Sequence, residues 1–275
     1  MNNKRKLIAL VLAFSMILAC VALTGCGDDK KKAEKKGGDL GTTKAGVLTV
    51  GLDDTFAPMG YREKGKLVGF DIDLAKAVGK KMGYKVKFRP ISWDAKDLEL
   101  KSGKIDCIWN GMSITPEREK KMSLSKKYLN NKILLMTNKK NVKIEKETDL
   151  NKYKIGTQAD SSALQVLQKK EEYSNFKENI TEYKDYDKAI LDLKAGRTDV
   201  IAIDQVLGEF KNKNMKGILS VCKYDLGNDF YVIGFRKGDT KLRDEVNKAI
   251  KALIDNGEAE EISKKWFGKN IVIFK

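Results

Sequence analysis

The hydrophobic positions of this chain alternate between two spacings. Short, mainly apolar runs such as Val47–Leu52 are typical of buried strands, and similar runs predict strands at 86–88, 105–109, 153–155 and 198–203. From Phe70 to Met82 the apolar residues recur every three or four positions and Gly83 follows, which predicts a helix and its end. Further helices are predicted from about 161 and over 189–193, 242–254 and 258–266. This alternation predicts an α/β fold, with mostly parallel sheets flanked by helices.

One short sequence occurs twice. Residues 100–108 match residues 193–201, and each copy contains a helix end, a glycine, a basic residue and a strand. A chance match at a common helix–glycine–strand connection is the alternative, but we favour two similar lobes. The match then places residues 110–111 and 203–204 just past the ends of equivalent strands. Ligands bind at such ends in open parallel sheets, so a ligand cleft is expected between the lobes.

The N-terminus has the features of a secretory signal in their usual order. A basic cluster precedes an apolar stretch at 7–23, and Leu-Thr-Gly-Cys then ends at Cys26. Those four residues resemble the bacterial lipobox. Residues 1–25 are therefore predicted to be a lipoprotein signal peptide, Cys26 the lipidated residue and residues 26–45 a flexible tether. An uncleaved membrane anchor is the alternative, and both interpretations place the body outside the cytoplasm, at the outer face of the cell membrane.

The formal net charge of +16 does not indicate a nucleic-acid partner. Nine Lys/Arg and four Asp/Glu fall in residues 1–45, and the rest of the excess consists of dispersed lysines. Nucleic-acid binding favours basic residues that are clustered and interleaved with aromatic ones. The pattern instead predicts a solvated, lysine-rich surface.

The body contains two cysteines, Cys107 and Cys222, far apart in sequence. A disulfide is compatible with an exported protein. We predict two buried, unpaired thiols instead, because the repeat places them in different lobes. We predict neither a cofactor nor a metal site.

The segment from Gly103 to Arg118 suits the capture of a small carboxylate. It is predicted to be a short buried strand that opens into a turn rich in hydrogen-bond donors and closes on an arginine. A planar guanidinium presents two parallel donors to one carboxylate. Gly111 and Ser113 can add a backbone N–H and a hydroxyl.

Several motifs in a fixed order give the chain a wider resemblance. They lie at 50–58, 68–74, 110–118, 156–162, 196–204 and 264–268. On these motifs the chain, from about Leu48 to Gly268, resembles the polar amino-acid family of bacterial extracellular solute-binding proteins (family 3), which serve ABC importers.

The resemblance implies a two-lobed fold like that of periplasmic binding proteins, with the ligand cleft between the lobes. Lobe 1 is then expected at 46–130 and 232–275, and lobe 2 at 131–231. Two hinge strands are expected near 128–135 and 229–234.

The resemblance also assigns roles to charged residues. Arg118 is expected to pair with the α-carboxylate of an amino acid, with the Gly111 carbonyl on the ammonium and the Ser113 hydroxyl on the carboxylate. A surface arginine in the first turn of a helix is the alternative for Arg118. Asp204 is expected to pair with the α-ammonium; helix capping is its alternative, and the two roles can coexist.

Asp160, Ser161 and Ser162 precede a predicted helix. The free backbone N–H groups at such a helix start form a seat for a carboxylate. The family usually has glycine at position 160, so Asp160 is expected to help select the ligand side chain. Capping of the helix by Asp160 or Ser161 is an equal alternative.

Four more residues are expected around the ligand. Phe56 and Trp93 correspond to positions where the family presents aromatic rings, although core packing is an equal alternative for Trp93. Asp53 corresponds to a position that reaches a cationic side chain in relatives that bind basic amino acids. Asn110 adds a neutral amide at the same place.

The resemblance implies a non-enzymatic protein that captures a polar L-amino acid by hinge closure and delivers it to an ABC transporter permease. Cationic amino acids and cystine are among the candidate ligands. One alternative is an enzyme on the same fold, resembling cyclohexadienyl dehydratase. The chain has no histidine, the usual residue for acid–base catalysis near neutral pH, which argues against an enzyme. The other alternative is a ligand sensor or adaptor for a separate signalling partner.

Overall fold

A computed structural model describes residues 46–275; the predicted signal peptide, Cys26 and tether lie outside the described residues. The strands are β1 (Val47–Leu52), β2 (Thr55–Phe56), β3 (Gly60–Glu63), β4 (Lys66–Val68), β5 (Lys85–Pro90), β6 (Cys107–Ser113), β7 (Met122–Leu124), β8 (Leu129–Thr137), β9 (Ile155–Gln158), β10 (Ile180–Tyr183), β11 (Val200–Asp204), β12 (Ser220–Val221) and β13 (Gly227–Arg236). The α-helices are α1 (Phe70–Met82), α2 (Lys96–Lys101), α3 (Pro116–Lys121), α4 (Ser162–Gln168), α5 (Tyr173–Phe176), α6 (Tyr186–Lys194), α7 (Gln205–Asn214), α8 (Thr240–Asp255) and α9 (Glu258–Phe267). Short 3-10 helices lie at Trp93–Ala95, Glu147–Lys152 and Lys177–Asn179.

The main sheet has the strand order β10-β9-β11-β8-β13-β6-β1-β5. We call β5, β1 and β6 the first half of the sheet and β10, β9 and β11 the second half; strands within each half are parallel. Between the halves, β8 and β13 pair antiparallel with each other and with their neighbours. The predicted α/β fold is confirmed. Of the segments expected to be hinge strands, 129–135 lies in β8 and 229–234 lies in β13.

The two copies of the repeat occupy equivalent places in this sheet. Gly103 has φ +76° and Gly196 has φ +77°, in the left-handed region that glycine adopts without a steric penalty. The first copy leads into β6 and the second into β11, and these strands flank the central pair on opposite sides. The repeat therefore corresponds to two similar arrangements of helix, glycine and strand.

Helices and sheet share a core in which α1 packs against α8 and α9. The α1 helix ends as predicted, at Gly83 with φ +72°. Its buried residues, including Phe70 and Leu74, lie in one cluster with Val50 of β1 and Val246 of α8. A second cluster, around Ile155, fills the second half of the sheet. None of the helices in residues 46–275 combines the length and apolar character needed to cross a membrane.

The prediction of a turn after residue 109 is wrong. β6 continues to Ser113, because β13 pairs with it at Tyr231↔Ser113 and Val232↔Met112. The register between the two strands shifts next to Gly111, which has φ +57°. The chain is therefore irregular at this glycine while remaining a strand.

Two other boundaries also differ from the prediction. Asp204 is the last residue of β11 and does not lie beyond it. The strand predicted at 153–155 begins only at Ile155, because a 3-10 helix extends to Lys152 and Tyr153 is its C-cap. Cys107 and Cys222 are both free, as predicted; Cys107 is buried, whereas Cys222 is only half-buried.

Candidate functional site

Arg118 is a buried cation that follows β6. Thr115 caps the short helix α3 by accepting a hydrogen bond from the Arg118 N–H (3.2 Å), which places the side chain in the first turn. The guanidinium donates from Nη1 to the Ser113 carbonyl (2.8 Å) and from Nη2 to the Asp160 carbonyl (3.2 Å). Its buried Nε has no partner among the described residues. Burial lowers the pKa of Arg118, and the alternative of a surface arginine is wrong, since 3% of the residue is exposed.

Asp204 is a buried acid at the end of β11. Its Oδ1 accepts hydrogen bonds from Asn131 Nδ2 (2.8 Å) and Tyr231 Oη (3.1 Å). The carboxylate makes no capping bond to α7 in the described chain; the Val206 N–H donates instead to Asn131 Oδ1 (3.3 Å). Burial, together with repulsion from Asp229, raises the pKa of Asp204 to about 7. The Asp204 carboxyl group therefore accepts hydrogen bonds from neutral donors and does not cap α7.

A second buried acid, Asp229, lies on β13 next to Asp204. Its Oδ2 accepts from the Ser113 hydroxyl (2.5 Å) and from Asn131 Nδ2 (2.8 Å). Asn131 and Asp229 are direct partners in the β8–β13 ladder, so the sheet register sets this geometry. Burial raises the pKa of Asp229 as well. One amide thus holds two carboxyl groups at the centre of the sheet.

The loop after β9 brings residues of the second half against the first half. The Ser161 hydroxyl caps α4 by accepting from the Leu164 N–H (3.1 Å). Ser162 Oγ lies 2.9 Å from Ser113 Oγ. Between the alternatives of capping by Asp160 and by Ser161, the structure therefore has Ser161 as the cap. Asp160 has φ +54° and forms an ion pair with Lys96.

Each of the two predicted aromatic residues contacts another ring or a cation. The Phe56 ring centroid is 6.2 Å from that of Tyr186. The Arg118 Cζ lies 5.6 Å from the Trp93 ring centroid, within range of a cation–π interaction. Trp93 also belongs to a hydrophobic cluster with Ile105, so the core packing weighed from the sequence is present, and its contact with a ligand stays a prediction.

Most of the predicted residues meet around one small cavity of about 10 Å³. That volume is close to the space that one water molecule needs. The cavity is small because residues from the two halves of the sheet, such as Ser113 and Ser162, contact each other directly beside it. The lining residues are Phe56, Trp93, Gly111, Ser113, Arg118, Gln158, Ser161, Ser162 and Asp204. A buried cation and a buried acid from opposite halves of the sheet thus border the same space.

Asp53 and Asn110 lie beside this cavity and not in its lining. Asp53 Oδ2 accepts from Gln158 Nε2 (2.8 Å), and Asn110 Oδ1 accepts from the Asp53 N–H (3.1 Å). Burial raises the pKa of Asp53. Asp53 borders a neighbouring cavity of about 330 Å³, whose lining is Asp53, Asp54, Thr55, Pro90, Ile91, Ser92, Trp93, Lys184 and Asp185. We call this second space the acidic cavity. Trp93 lines both cavities.

Asp71, in the first turn of α1, fixes the strand at Gly111. Its carboxylate accepts from the Gly111 N–H (2.7 Å), the Tyr128 hydroxyl (2.9 Å) and Trp109 Nε1 (3.2 Å). Burial raises its pKa to about 7. A side chain at Gly111 would also collide with the Phe56 ring, since its Cβ would lie 2.8 Å from Cε1 of that ring.

Sequence reasoning missed several polar residues of this region, namely Asp71, Lys96, Asn131, Gln158 and Asp229. Asp71 lies within a predicted helix, and Asn131 and Asp229 lie within the expected hinge strands, whereas Lys96 and Gln158 lie outside the predicted elements. A polar residue at a buried position requires a hydrogen-bond partner. Such positions are therefore candidates for a functional or supporting role.

The family model of the bacterial extracellular solute-binding proteins, family 3, matches residues 48–269. The chain belongs to this family. The resemblance inferred from the motifs is thereby confirmed, and the match covers β1 to the end of α9.

Two relatives within family 3 are similar over nearly their whole length. The L-cystine-binding protein TcyA of Bacillus subtilis (strain 168) is 32% identical over 270 residues, covering 95% of this chain and 98% of the relative. The arginine-binding extracellular protein ArtP of the same organism is 33% identical over 261 residues, covering 92% and 96%. Both relatives are amino-acid-binding proteins, which supports amino-acid binding by this family 3 member.

Solved structures support the two-lobed fold. The substrate-binding protein of an ABC uptake transporter from Streptococcus pneumoniae, with bound histidine, has a TM-score of 0.74 and 36% identity, covering 83% of this chain and 95% of that one. The ancestral amino-acid-binding protein AncCDT-1, a precursor of cyclohexadienyl dehydratase, has a TM-score of 0.72 and 31% identity, covering 81% and 96%.

The other cavities described in residues 46–275 lack the features of this site. Two larger cavities, of about 520 and 640 Å³, lie elsewhere on the surface and have no buried acid and buried arginine facing each other. Within the same residues, no cluster of His, Cys, Asp and Glu side chains is suited to hold a metal ion.

Proposed function

We propose that the protein is an extracellular, lipid-anchored solute-binding protein that captures a polar L-amino acid and delivers it to the permease of an ABC importer. One observation carries the proposal: buried Arg118 and buried Asp204 come from opposite halves of the sheet and border one cavity. An α-amino acid has an anionic and a cationic group on one carbon. Arg118 pairs with the carboxylate and Asp204 with the ammonium. The amino-acid-binding relatives support this assignment.

Ligand binding closes the two lobes. Residues 46–130 and 232–275 form lobe 1, residues 131–231 form lobe 2, and β8 and β13 are the hinge strands. A ligand that contacts Arg118 in lobe 1 and Asp204 in lobe 2 favours the closed form, because only that form makes both contacts. The permease then recognises the closed form.

The acidic cavity beside Asp53 supports a ligand with a cationic group at its far end. Three carboxylates and one lysine line that cavity. A basic amino acid fits this charge, and so does cystine, whose second half carries its own ammonium. A thermal-shift screen across the amino acids, including cystine, tests the class, because a bound ligand raises the apparent stability.

Isothermal titration with variants tests the site. Arg118→Ala and Asp204→Ala each leave a buried opposite charge on the ligand unpaired, and each is expected to lose on the order of 2–5 kcal/mol of binding free energy. Arg197→Ala and Asp187→Ala are matched controls, since both side chains are more than half exposed. If both site variants bind like the wild type, the assignment is wrong.

The lipid anchor is tested separately. Cys26→Ala is expected to release the protein from the membrane fraction, and Cys20→Ala, within the leader, is the matched control. Retention of the Cys26→Ala protein on membranes would instead favour an uncleaved anchor.

One observation favours the enzyme as a second candidate. Asp204, with its pKa raised to about 7 and Asp229 beside it, has the properties of a general acid or base near neutral pH. We propose binding without turnover, because the amino-acid-binding relatives share nearly the whole chain. Incubation with cyclohexadienyl acids decides between the two, since product formation would contradict a purely binding role.

A further inference from the structure

Lys96 places a second cation beside the buried arginine. It is the first residue of α2, 1% exposed, and its ammonium lies 5.0 Å from the Trp93 ring centroid. Nζ donates to the Trp93 carbonyl (3.3 Å) and pairs with the Asp160 carboxylate. Burial and repulsion from Arg118 lower the pKa of Lys96. A buried ammonium is costly unless it is paired, so Asp160 is essential to its placement.

Asp160 is also in an unfavourable state. Its φ of +54° lies in the left-handed region, which is unfavourable for an L-residue other than glycine. The carboxylate is 40% exposed, and its ion pair in the structure is with Lys96. One ion pair therefore joins a buried ammonium, that of Lys96, to a residue with an unfavourable backbone conformation, Asp160.

The ion pair crosses between the halves of the sheet. Lys96 lies between β5 and β6 in the first half, and Asp160 follows β9 in the second half. The Asp160 carbonyl also accepts from Arg118 Nη2 (3.2 Å) and lies 3.5 Å from Lys96 Nζ. Two cations of the first half thus hold one residue of the loop 158–162.

Two other contacts between the halves each include at least one residue that lines the small cavity. Ser113 meets Ser162, and Gln158 donates to Asp53. Neither Lys96 nor Asp160 belongs to the lining. A ligand between Arg118 and Asp204 would therefore compete with the contacts at the cavity and leave the ion pair intact.

We propose that Lys96 and Asp160 are a positioning pair, which holds the loop 158–162 against Arg118 in the closed form. This inference rests on the proposed function. The pair acts on closure without contacting the ligand, so it adds to the affinity for every amino acid that the site accepts. Asp160 then does not have the ligand-selecting role expected from the family pattern. It also slows ligand release, since the closed form must open before the ligand leaves.

Four variants test the pair: Lys96→Met, Asp160→Asn, Asp160→Gly and the double variant Lys96→Met/Asp160→Asn. Titration and stopped-flow release use L-arginine, L-histidine and L-cystine as probes. Each single variant is expected to weaken binding about tenfold, with faster release and unchanged ratios between the probes. The double variant is expected to lose less than the two single losses combined, because the residues interact. Lys101→Met, an exposed lysine of the same helix, is the matched control.

Asp160→Gly keeps the test independent of folding. Like Asp160→Asn, it leaves the buried Lys96 ammonium unpaired, but it relieves the left-handed strain, so its unliganded form is expected to melt higher than that of Asp160→Asn while the two affinities fall alike. Unchanged affinity in the single variants would overturn the positioning role, and so would a change in the ratio between probes, which indicates contact with the ligand. A wild-type protein that binds none of the probes would overturn the proposed function and this inference with it.

Discussion

Gln158 Nε2 lies 2.8 Å from Oδ2 of Asp53, so one hydrogen bond joins the two halves of the sheet between the small cavity and the acidic cavity. The other carboxylate oxygen accepts from the Thr55 N–H (3.0 Å) and hydroxyl (2.7 Å). All of these donors are neutral. Within residues 46–275, no lysine or arginine forms an ion pair with the Asp53 carboxylate, which suits pairing with a cationic group of a ligand.

Asp53→Asn is expected to weaken binding of L-arginine about tenfold and to leave L-glutamine binding nearly unchanged. The amide keeps the size and part of the hydrogen bonding of the carboxylate but removes the charge that attracts a guanidinium. Isothermal titration with both ligands measures the change in the ratio.

Asp54→Asn is the matched control for this experiment. Asp54 borders the same acidic cavity, but Arg62 already pairs with it at 2.5 Å. An equal effect of both substitutions would mean that the cavity acts through its total charge and that Asp53 has no special role.

Some residues of the candidate site could be predicted from the sequence and others could not. Arg118, Gly111 and Asp204 were found because they belong to motifs and lie near strand ends. Gly111 was nevertheless assigned to a turn, because pairing with β13 depends on residues more than a hundred positions away. Such pairing overrides local strand and turn preferences.

Asn131 and Asp229 show a second limit. Both lie in segments expected to be hinge strands, yet their hydrogen bond depends on facing each other in the β8–β13 register. The sequence contains no local sign of that register. Lys96 is similar: its burial follows from a contact with Asp160, 64 positions away.

Amino-acid affinity is expected to rise with pH between about 5 and 8. Asp204 has a pKa of about 7 in the unliganded protein, so below that value it is mostly protonated. Only the carboxylate form pairs with an α-ammonium, and binding must therefore release a proton. Titration at pH 6 in two buffers with different ionisation enthalpies measures that proton.

Asp204→Asn removes the group that releases the proton. The variant is expected to bind more weakly and with little pH dependence across the same range. Wild-type affinity that stays constant from pH 5 to pH 8 would contradict the pairing of Asp204 with the ligand.

Asp71 is expected to make the unliganded protein less stable as the pH rises. Its pKa is about 7 in the folded state against 3.8 as the ordinary value, so the folded state binds the extra proton between these limits. The free energy of unfolding therefore falls from about pH 4 to pH 7 and levels off above. Urea unfolding at a series of pH values measures the slope.

Asp71→Asn is expected to flatten that slope and to cost about 1–3 kcal/mol at pH 4, because the amide offers one acceptor oxygen where three donors converge. Asp73→Asn, in the same turn of α1, is the matched control. If the Asp71→Asn slope equals that of the wild type, the pH dependence has another origin.

Gly111→Ala is expected to reduce both stability and amino-acid affinity. The position has φ +57°, and a Cβ there would lie 2.8 Å from Phe56 Cε1 and 3.1 Å from Tyr231 Cε2. Gly196→Ala separates the two causes: its φ is +77°, but nothing lies within 4 Å of its Cβ. The control is expected to lose roughly 1 kcal/mol of unfolding free energy through backbone strain alone, with unchanged affinity. The loss of unfolding free energy in Gly111→Ala must be larger than in the control, because the Phe56 and Tyr231 rings have to move. Phe56 lines the small cavity and Tyr231 donates to Asp204, so the affinity must fall as well. Equal losses and equal affinities in the two variants would show that the close packing at Gly111 does not matter for binding.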